Sequence, residues 1–272
     1  MRIGTISSFR DDIPGMFDRV AGFGLEATQL SIWDMSKYTA ENAEAVRKAS
    51  ADSGVAIAAI WAGYSAPRAW NFTEGPITLG LVPASLRPQR IVDLKKGADF
   101  AASTGAPAIV THCGFIPENM TDHNYGPVCE AIYEVASYCK QLGLGFWFET
   151  GQETPVVLLR TIKRVGLDNL GINLDPANLI LYGKGSPCDA IEVFGKYVRN
   201  LHVKDGIPPV DGDYLGHEVQ VGKGFVNFPK LLPRLKEMGF DGDLIIEREI
   251  KEGDEQNRDI LETVGNIRKW WN

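Results

Sequence analysis

The sequence contains no long apolar run, no cluster of basic residues and only four histidines. No apolar run approaches the roughly 18 residues that a membrane span requires. A strand-like segment begins at Arg2, which leaves no space for a signal peptide. The formal net charge of -7 opposes binding to nucleic acid, because such binding depends on clustered Lys and Arg. We therefore expect a soluble cytoplasmic protein without membrane or nucleic-acid partners.

Cysteine is also scarce, and its spacing excludes two common uses. Cys113, Cys129, Cys139 and Cys188 form no C-x-x-C pair. Such spacing is not typical of a disulfide framework or of a zinc knuckle. We therefore expect four free thiols, buried as small hydrophobic side chains.

The length and composition are those of a globular α/β protein. Hydrophobic residues make up 44% of the 272 residues and charged residues 23%, close to the average of folded domains. An α/β barrel routinely fills this length as one domain. Since no linker rich in Pro, Gly or Ser divides the chain, we expect a single domain over residues 1–272.

Short apolar runs alternate with stretches of helical periodicity along the whole chain. Thr39 and Thr154 are typical helix N-caps, and Gly54 and Gly143 are typical helix ends. Repeated strand and helix alternation predicts an α/β fold, a parallel sheet closed as a single (β/α)₈ TIM barrel. The eight predicted strands are Arg2 to Ile6, Ala27 to Leu30, Ala56 to Trp61, Ala108 to His112, Gly145 to Glu149, Leu170 to Asp175, Val198 to Val203 and Leu244 to Glu247.

Four potential metal ligands stand at the ends of the last four predicted strands: Glu149, Asp175, His202 and Glu247. The carboxyl ends of parallel barrel strands meet at one mouth, so the four side chains are predicted to converge. Three carboxylates and one imidazole suit one divalent metal ion, Mn, Mg or Zn. Each acid alone is more typical of a helix cap or a rim ion pair, and His202 alone is typical of a core histidine. Together they favour a metal, because several buried acids need a cation.

Two glutamates on opposite sides of such an ion suit proton transfer on a polyhydroxylated substrate. A chelated carbonyl lowers the pKa of the adjacent carbon acid. Glu149 and Glu247 can then be the catalytic bases, one removing the proton and the other returning it through an enediolate. This chemistry predicts a metal-dependent isomerase or epimerase of a free or phosphorylated sugar. A lyase or dehydratase on a keto-inositol or an oxidised sugar shares the first step and is the alternative.

Further residues near the predicted mouth are candidates for substrate binding, and each has a structural alternative. His112 can bond to backbone at the rim, Trp61 can pack in the core, and Lys204 can pair with Asp205. A glutamate in a first helical turn can orient a ligand or favour the helix N-terminus. The five candidates are His112, Asn178, Lys204, Glu153 and Trp61.

Two long segments are predicted to form lids or binding walls at the mouth, because connections of this length are rarely filler. The first is Gly63 to Pro88, which contains Trp70 and Phe72 as possible sugar-stacking residues. The second is Gly206 to Phe225, in which Gly222-Lys223-Gly224 can let backbone approach an anion. A single G-x-G is weak evidence for a phosphate site.

Five motifs carry a family resemblance that spans nearly the whole chain: Phe148-Glu149-Thr150-Gly151, Asn173-Leu174-Asp175-Pro176-Ala177-Asn178-Leu179, His202-Val203-Lys204-Asp205, Gly222-Lys223-Gly224 and Ile246-Glu247. With these motifs the chain resembles the sugar phosphate isomerase/epimerase group of xylose-isomerase-like TIM barrels, whose relatives include ketose 3-epimerases, inosose dehydratases and apurinic endonucleases. The resemblance implies carbohydrate metabolism and a small carbohydrate substrate. It also implies that Glu149, Asp175, His202 and Glu247 bind the metal, with both glutamates acting as acid and base.

The chain departs from one pattern of this group. In ketose 3-epimerases the Asp of the sixth strand is followed three residues later by a substrate-binding His, and here that position is Asn178. An amide can still hydrogen-bond a hydroxyl group. The apurinic endonuclease type requires several more histidines and a basic groove, and a sugar-binding barrel without catalysis does not require both glutamates. Barrels of this group commonly form homo-oligomers, so Trp270 and Trp271 are predicted to lie in a subunit contact or against the barrel's own helices.

Overall fold

The computed structural model describes residues 1–271, and Asn272, the last residue of the predicted domain, lies outside the described residues. Eight parallel strands close into one barrel in the spatial order β1-β10-β7-β6-β5-β4-β3-β2, which confirms the predicted fold class. Two further strands pair as an antiparallel ribbon beside it. The strands are β1 Ile3–Ser8, β2 Ala27–Ile32, β3 Ala56–Ala62, β4 Ala108–Thr111, β5 Gly145–Glu149, β6 Leu170–Leu174, β7 Val198–Val203, β8 Asp205–Ile207, β9 His217–Val219 and β10 Asp243–Ile246.

Helices cover the outside of the barrel, and their ends follow the predicted capping signals. The Thr39 hydroxyl accepts a hydrogen bond of 3.1 Å from the Asn42 amide, and Gly54 ends the same helix with a left-handed φ of 72°. Among residues 1–271, no helix combines the length and apolar content of a membrane span. The helices are α1 Ile13–Gly22, α2 Ala40–Ser53, α3 Gly75–Thr78, α4 Arg87–Thr104, α5 Tyr125–Gln141, α6 Pro155–Val165, α7 Pro176–Leu181, α8 Pro187–Phe194, α9 Phe228–Glu237 and α10 Asp254–Trp271.

Three strands end one residue earlier than the sequence predicts, so that His112, Asp175 and Glu247 lie just beyond β4, β6 and β10. Asp175 leaves the strand ladder because its side chain caps the next helix. The Asp175 Oδ1 atom accepts a hydrogen bond of 3.0 Å from the Asn178 amide in the first turn of α7. The shift leaves all three side chains at the carboxyl end of the barrel.

The long connection between β3 and α4, residues 63–86, is called the rim loop below. The second predicted loop, Gly206 to Phe225, is partly regular, because it contains most of the β8 and β9 ribbon. All four cysteines are free, but Cys188 is only half-buried, unlike the other three. Trp270 stacks on Phe228 of α9 at 5.8 Å, so this part of the C-terminus packs on the barrel's own helices.

Candidate metal centre and substrate cavity

The four predicted ligands converge at the carboxyl end of the barrel. One ligand atom from each of Glu149, Asp175, His202 and Glu247 lies within 4.8 Å of the other three, and all four residues are buried. The His202 Nδ1 atom is 3.0 Å from Glu149 Oε1 and 2.8 Å from Glu247 Oε2. It is 3.9 Å from Asp175 Oδ2. The four side chains therefore surround one small volume.

Three of the four predicted ligands have a donor atom without a hydrogen-bond partner. Asp175 Oδ2, His202 Nδ1 and Glu247 Oε2 are buried and have no hydrogen-bond partner among the described residues. Buried polar atoms are almost always partnered, and three such atoms aimed at one point indicate a ligand. Carboxylate oxygens and an imidazole nitrogen are the donors that Mg, Mn and Zn prefer. The residues present therefore fit a divalent metal ion.

The local sequence holds Asp175 in a fixed orientation. Its backbone N–H donates to the Thr150 hydroxyl oxygen at 2.8 Å, and that hydroxyl in turn donates to the Asp175 carbonyl at 2.8 Å. Since Oδ1 caps α7, only Oδ2 is left to face the other ligands. The hydrogen bonds of Thr150 and Asn178 thus fix the direction in which the Asp175 carboxylate presents Oδ2.

A chain of buried amides inside the barrel fixes the protonation of His202. Gln29 donates through Nε2 to Asn173 Oδ1 at 3.0 Å, so its Oε1 faces His202 Nε2 at 2.7 Å. A carbonyl oxygen can only accept, and the proton of neutral His202 is therefore on Nε2. This leaves the Nδ1 lone pair directed at the carboxylate cluster, as metal binding requires.

The same chain continues to a second ligand. Asn173 Nδ2 donates to Glu149 Oε2, and Asn200 Nδ2 donates to Asn173 Oδ1 at 2.5 Å. Sequence reasoning missed Gln29, Asn173 and Asn200, all fully or almost fully buried. The available signal was that each is an amide inside a strand whose neighbours are mostly apolar. Such amides are rarely buried without a partner.

The electrostatics of the four-residue cluster follow from burial and close opposite charges. Burial alone would lower the pKa of His202, but Glu149 and Glu247 raise it well above its usual value. Burial raises the pKa of Glu149 in spite of His202. Burial also acts to raise the pKa of Glu247, yet Lys204 and His202 lower it overall. A proton on His202 Nδ1 and a divalent cation would therefore occupy the same position between the carboxylates, so the one excludes the other.

Lys204 is buried and surrounded by acids. Its Nζ atom lies 2.8 Å from Glu249, 3.5 Å from Asp175 and 3.6 Å from Glu247. The predicted alternative, a pair with Asp205, is wrong, because Asp205 has other partners. Lys204 therefore compensates part of the negative charge of the cluster.

Asp205 is bound by the glycine motif of the second loop. Its two carboxylate oxygens accept four backbone N–H bonds of 2.9 to 3.1 Å, from Gly206, Gly222, Gly224 and Val226. A Cβ atom added at Gly224 would lie 2.1 Å from Asp205, which explains the glycine there. The anion that Gly222-Lys223-Gly224 approaches is thus a carboxylate of this chain, and the loop is fixed to the end of β7.

A cavity of about 380 Å³ opens onto the ligand cluster. This volume lies within the usual range of small-molecule sites, about 300–1,000 Å³. Its aromatic lining is Trp33, Trp61, Trp70 and Tyr182. The rings of Trp33 and Trp61 are 4.6 Å apart, and Trp33 was missed by the sequence reasoning. The cavity therefore combines a polar, acidic floor with an aromatic wall.

Four of the five predicted substrate-binding residues line this cavity: His112, Asn178, Lys204 and Trp61. Burial lowers the pKa of His112 to about 3, so its ring is neutral at pH 7. Its Nδ1 atom is buried and has no hydrogen-bond partner within residues 1–271. The Asn178 amide donates to the Thr150 carbonyl at 3.2 Å.

Glu153 is the predicted residue that does not line the cavity. It is buried, and burial raises the pKa of its carboxyl to about 8. Its Oε2 atom has no hydrogen-bond partner among the described residues. An uncharged carboxyl group at this position is consistent with the surrounding burial.

Comparison with known proteins supports the fold over the whole chain. The structure superimposes on the xylose isomerase domain protein from Planctomyces limnophilus with a TM-score of 0.92 and 32% identity, covering 98% of this chain and 96% of that one. It also resembles an L-ribulose 3-epimerase, with a TM-score of 0.76, 16% identity and 99% and 94% coverage. A Mycobacterium smegmatis barrel in complex with magnesium gives a TM-score of 0.69, 18% identity and 95% and 87% coverage. At these lower identities the similarity concerns the fold.

Sequence comparison gives the same result. The chain is 26% identical over 199 residues to an uncharacterized protein of Methanocaldococcus jannaschii, a match of 66% of this chain. It spans 65% of the length of that relative. A family model described as xylose isomerase-like TIM barrel matches residues 17–270. The chain therefore belongs to the xylose isomerase-like TIM barrel family.

Proposed function

We propose that the protein is a metal-dependent isomerase or epimerase of carbohydrates. The observation that carries the proposal is the pair of buried glutamates on either side of one imidazole nitrogen. Glu149 and Glu247 reach His202 Nδ1 from β5 and from the end of β10, at 3.0 Å and 2.8 Å. Both face a cavity of the size expected for a small ligand. The similar L-ribulose 3-epimerase supports the same class of reaction.

The metal would be held by Glu149, Asp175, His202 and Glu247, and we propose Mg, Mn or Zn from this donor set. The magnesium complex of the similar Mycobacterium smegmatis barrel supports a hard divalent ion. When bound, such an ion acts as a Lewis acid that lowers the pKa of a C–H group next to a substrate carbonyl.

The two glutamates supply the proton transfers. One carboxylate removes the proton from the carbon next to the carbonyl, and the electron pair of that C–H bond moves into the carbonyl to give an enediolate. The second glutamate enters the step as the carboxylic acid and donates its proton to that carbon from the opposite face, which inverts the configuration and leaves the first glutamate protonated; exchange with water then restores the starting protonation of the pair. The amide of Asn173, bonded to Glu149 Oε2, holds that carboxylate in place during the exchange. The aromatic wall provides an apolar face against which the carbon skeleton of a sugar can pack.

The charges around the cavity favour an uncharged carbohydrate over a phosphorylated one. Lys204 is the one lysine that lines it, and no arginine of the described chain does. Three carboxylates already surround the Lys204 ammonium group. The glycine motif that suggested a phosphate site is occupied by Asp205. Within the cavity lining, a phosphate would therefore meet acids and a lysine that is already paired.

The proposal is tested by solvent exchange. The metal-loaded protein is incubated in deuterated water with a panel of unphosphorylated ketoses and their phosphate esters, and deuterium at carbon is measured by NMR and mass spectrometry. We expect incorporation and epimer or isomer formation with at least one unphosphorylated ketose. No incorporation across the panel would count against the proposal. An unsaturated product without an epimer would instead identify the lyase alternative.

A matched pair of variants tests the role of Glu247. Glu247→Gln keeps the shape but removes the base, so we expect exchange to fall by at least about 10²-fold, the lower range for loss of a general base. Glu252→Gln is the control, because Glu252 lies at the rim and pairs with Arg10 and Arg19. Unchanged exchange in Glu247→Gln, with an unchanged circular dichroism spectrum, would refute the acid/base assignment.

A further inference from the structure

The rim loop, residues 63–86, is connected to the barrel through one buried arginine. Arg90 lies on the first turn of α4 and is completely inaccessible to solvent. Its guanidinium group donates to four backbone carbonyls, and all four belong to the rim loop: Ser65, Pro67, Thr78 and Gly80. Burying a cation is costly unless its donors are bonded, and here the two terminal nitrogens make all four contacts while Nε has no partner among the described residues.

The four carbonyls come from both arms of the loop. Ser65 and Pro67 lie on the arm that leaves β3, and Thr78 and Gly80 lie on the arm that returns toward α4. The bonds to Pro67 and Thr78 are both 2.7 Å and start from the same nitrogen of Arg90. Arg90 therefore crosslinks the two arms at the base of the loop.

Neighbouring contacts reinforce this crosslink. The Arg90 guanidinium lies 4.4 Å from the centre of the Tyr64 ring, and the Tyr64 hydroxyl oxygen accepts a hydrogen bond of 2.9 Å from the Gly80 amide. One helical turn later, Asp93 accepts a hydrogen bond of 2.9 Å from the Ser65 amide. The base of the rim loop is thus part of the protein interior, although the loop itself lies at the surface.

The tip between the two arms carries Trp70. This side chain is 41% exposed, so the core does not hold it. Its ring nevertheless lies 4.9 Å from the His112 ring and 6.0 Å from the Trp33 ring, at the wall of the substrate cavity. Arg68, in the same tip, lies 4.6 Å from the centre of the Trp33 ring. Trp70 therefore contacts two rings of the cavity wall, while the two arms below it hold the backbone of the loop.

We propose that Arg90 is a positioning residue for substrate binding, which holds the rim loop so that Trp70 forms a preset wall of the cavity. The inference rests on the proposed function only for its kinetic readout. A preset aromatic wall avoids the entropy of ordering a loop when the substrate binds. Arg90 is expected to affect KM through Trp70, while kcat depends on the glutamates at the cavity floor.

The first experiment needs no substrate. Arg90→Met removes the donors while keeping much of the side-chain volume, and Leu94→Ala on the same helix is the control for a general loss of packing. Limited trypsin digestion of the metal-loaded proteins follows cleavage after Arg68, because cleavage reports local opening. We expect cleavage at this bond to accelerate about tenfold in Arg90→Met relative to other sites, and not in Leu94→Ala. Uniform acceleration at all sites, or none, would overturn the proposal.

The second experiment uses the ketose that gives the fastest solvent exchange. We expect Arg90→Met to raise KM about tenfold and to change kcat less than about threefold. In a Trp70→Ala background, Arg90→Met is expected to have no further effect on KM, since its effect passes through Trp70. Equal effects in both backgrounds would overturn the proposal. Arg90→Lys is expected to have a KM between those of the wild type and Arg90→Met. Its ammonium group keeps some of the hydrogen bonds to the loop but cannot bond both arms fully. If no ketose is exchanged, the proposed function fails, while the digestion still decides the role of Arg90.

Discussion

The amide that faces His202 provides a direct test of the metal centre. Gln29→Met keeps the length of the side chain but removes the acceptor of the 2.7 Å contact with His202 Nε2. It also removes the donor to Asn173 Oδ1, which still accepts from Asn200 at 2.5 Å. Asn173 therefore keeps a partner, and the loss falls mainly on His202.

The expected magnitude follows from this loss. His202 is fully buried, so its Nε2–H group would have no acceptor, at a cost of about 1–3 kcal/mol. Loss of such a supporting bond typically lowers metal affinity about 10–100-fold. That range corresponds to about 1.4–2.7 kcal/mol of binding free energy. The two estimates agree, and we expect Gln29→Met to bind Mn²⁺ 10–100-fold more weakly, by the same principle.

The assay is calorimetric titration of Mn²⁺ into chelator-treated protein. Thr28→Val is the matched control, because Thr28 is the neighbouring buried residue of β2 and bonds to the Thr5 carbonyl at 2.9 Å, away from His202. We expect the control to bind Mn²⁺ as the wild type does. Affinity of Gln29→Met within about twofold of the wild type would refute the reasoning, given the expected range. So would an equal loss in Thr28→Val.

Two further predictions concern pH. The pKa values of His202 and Glu149 are raised, so Mn²⁺ must displace protons when it binds. We therefore expect Mn²⁺ affinity to rise with pH and binding to release protons, which calorimetry in two buffers of different ionisation enthalpy measures. An affinity that does not depend on pH would contradict this. Burial raises the pKa of Glu153 from 4.5 to about 8. Its contribution to the free energy of unfolding is therefore fully present below pH 4.5, where the carboxyl group is protonated in both states, and is lost as the pH rises through 8. Glu153→Gln should therefore be more stable than the wild type above pH 8, by at most roughly 5 kcal/mol, and equal to it near pH 4. Denaturant unfolding across this pH range measures the difference, and no gain at high pH would contradict the assignment.

The barrel and the convergence of three acids and one imidazole could be predicted from local patterns. Each strand is a short apolar run, and parallel strands must end at one mouth, so the positions of Glu149 and His202 follow from chain order. The exact strand ends could not be predicted in the same way. Asp175 leaves its strand because it caps a helix, a competition between two hydrogen-bonding roles that the run of apolar residues does not reveal.

The supporting residues required the closed structure. Gln29 and Asn173 are 144 positions apart and meet only across the barrel interior. Arg90 looks like an ordinary surface helix residue in sequence, and its four carbonyl partners are backbone atoms, which leave no side-chain signal. The glycine motif was misleading for a related reason, because a backbone anion site accepts the chain's own Asp205 as readily as a phosphate.

The buried amide chain also has a polarity. As oriented, Gln29 and Asn173 each donate toward Glu149 and accept from the direction of His202. If the Gln29 and Asn173 amides were both rotated by half a turn, the Gln29 amide nitrogen would face His202 Nε2. That ring nitrogen would then have to accept, so the proton of the neutral ring would move to Nδ1 and block the cation position. The donor from Asn200 to Asn173 Oδ1 opposes that reversal, because two amide NH₂ groups would then face each other. When the imidazole is neutral, the three buried amides therefore favour its proton on Nε2 and leave Nδ1 free, which is the form that the proposed metal ion requires.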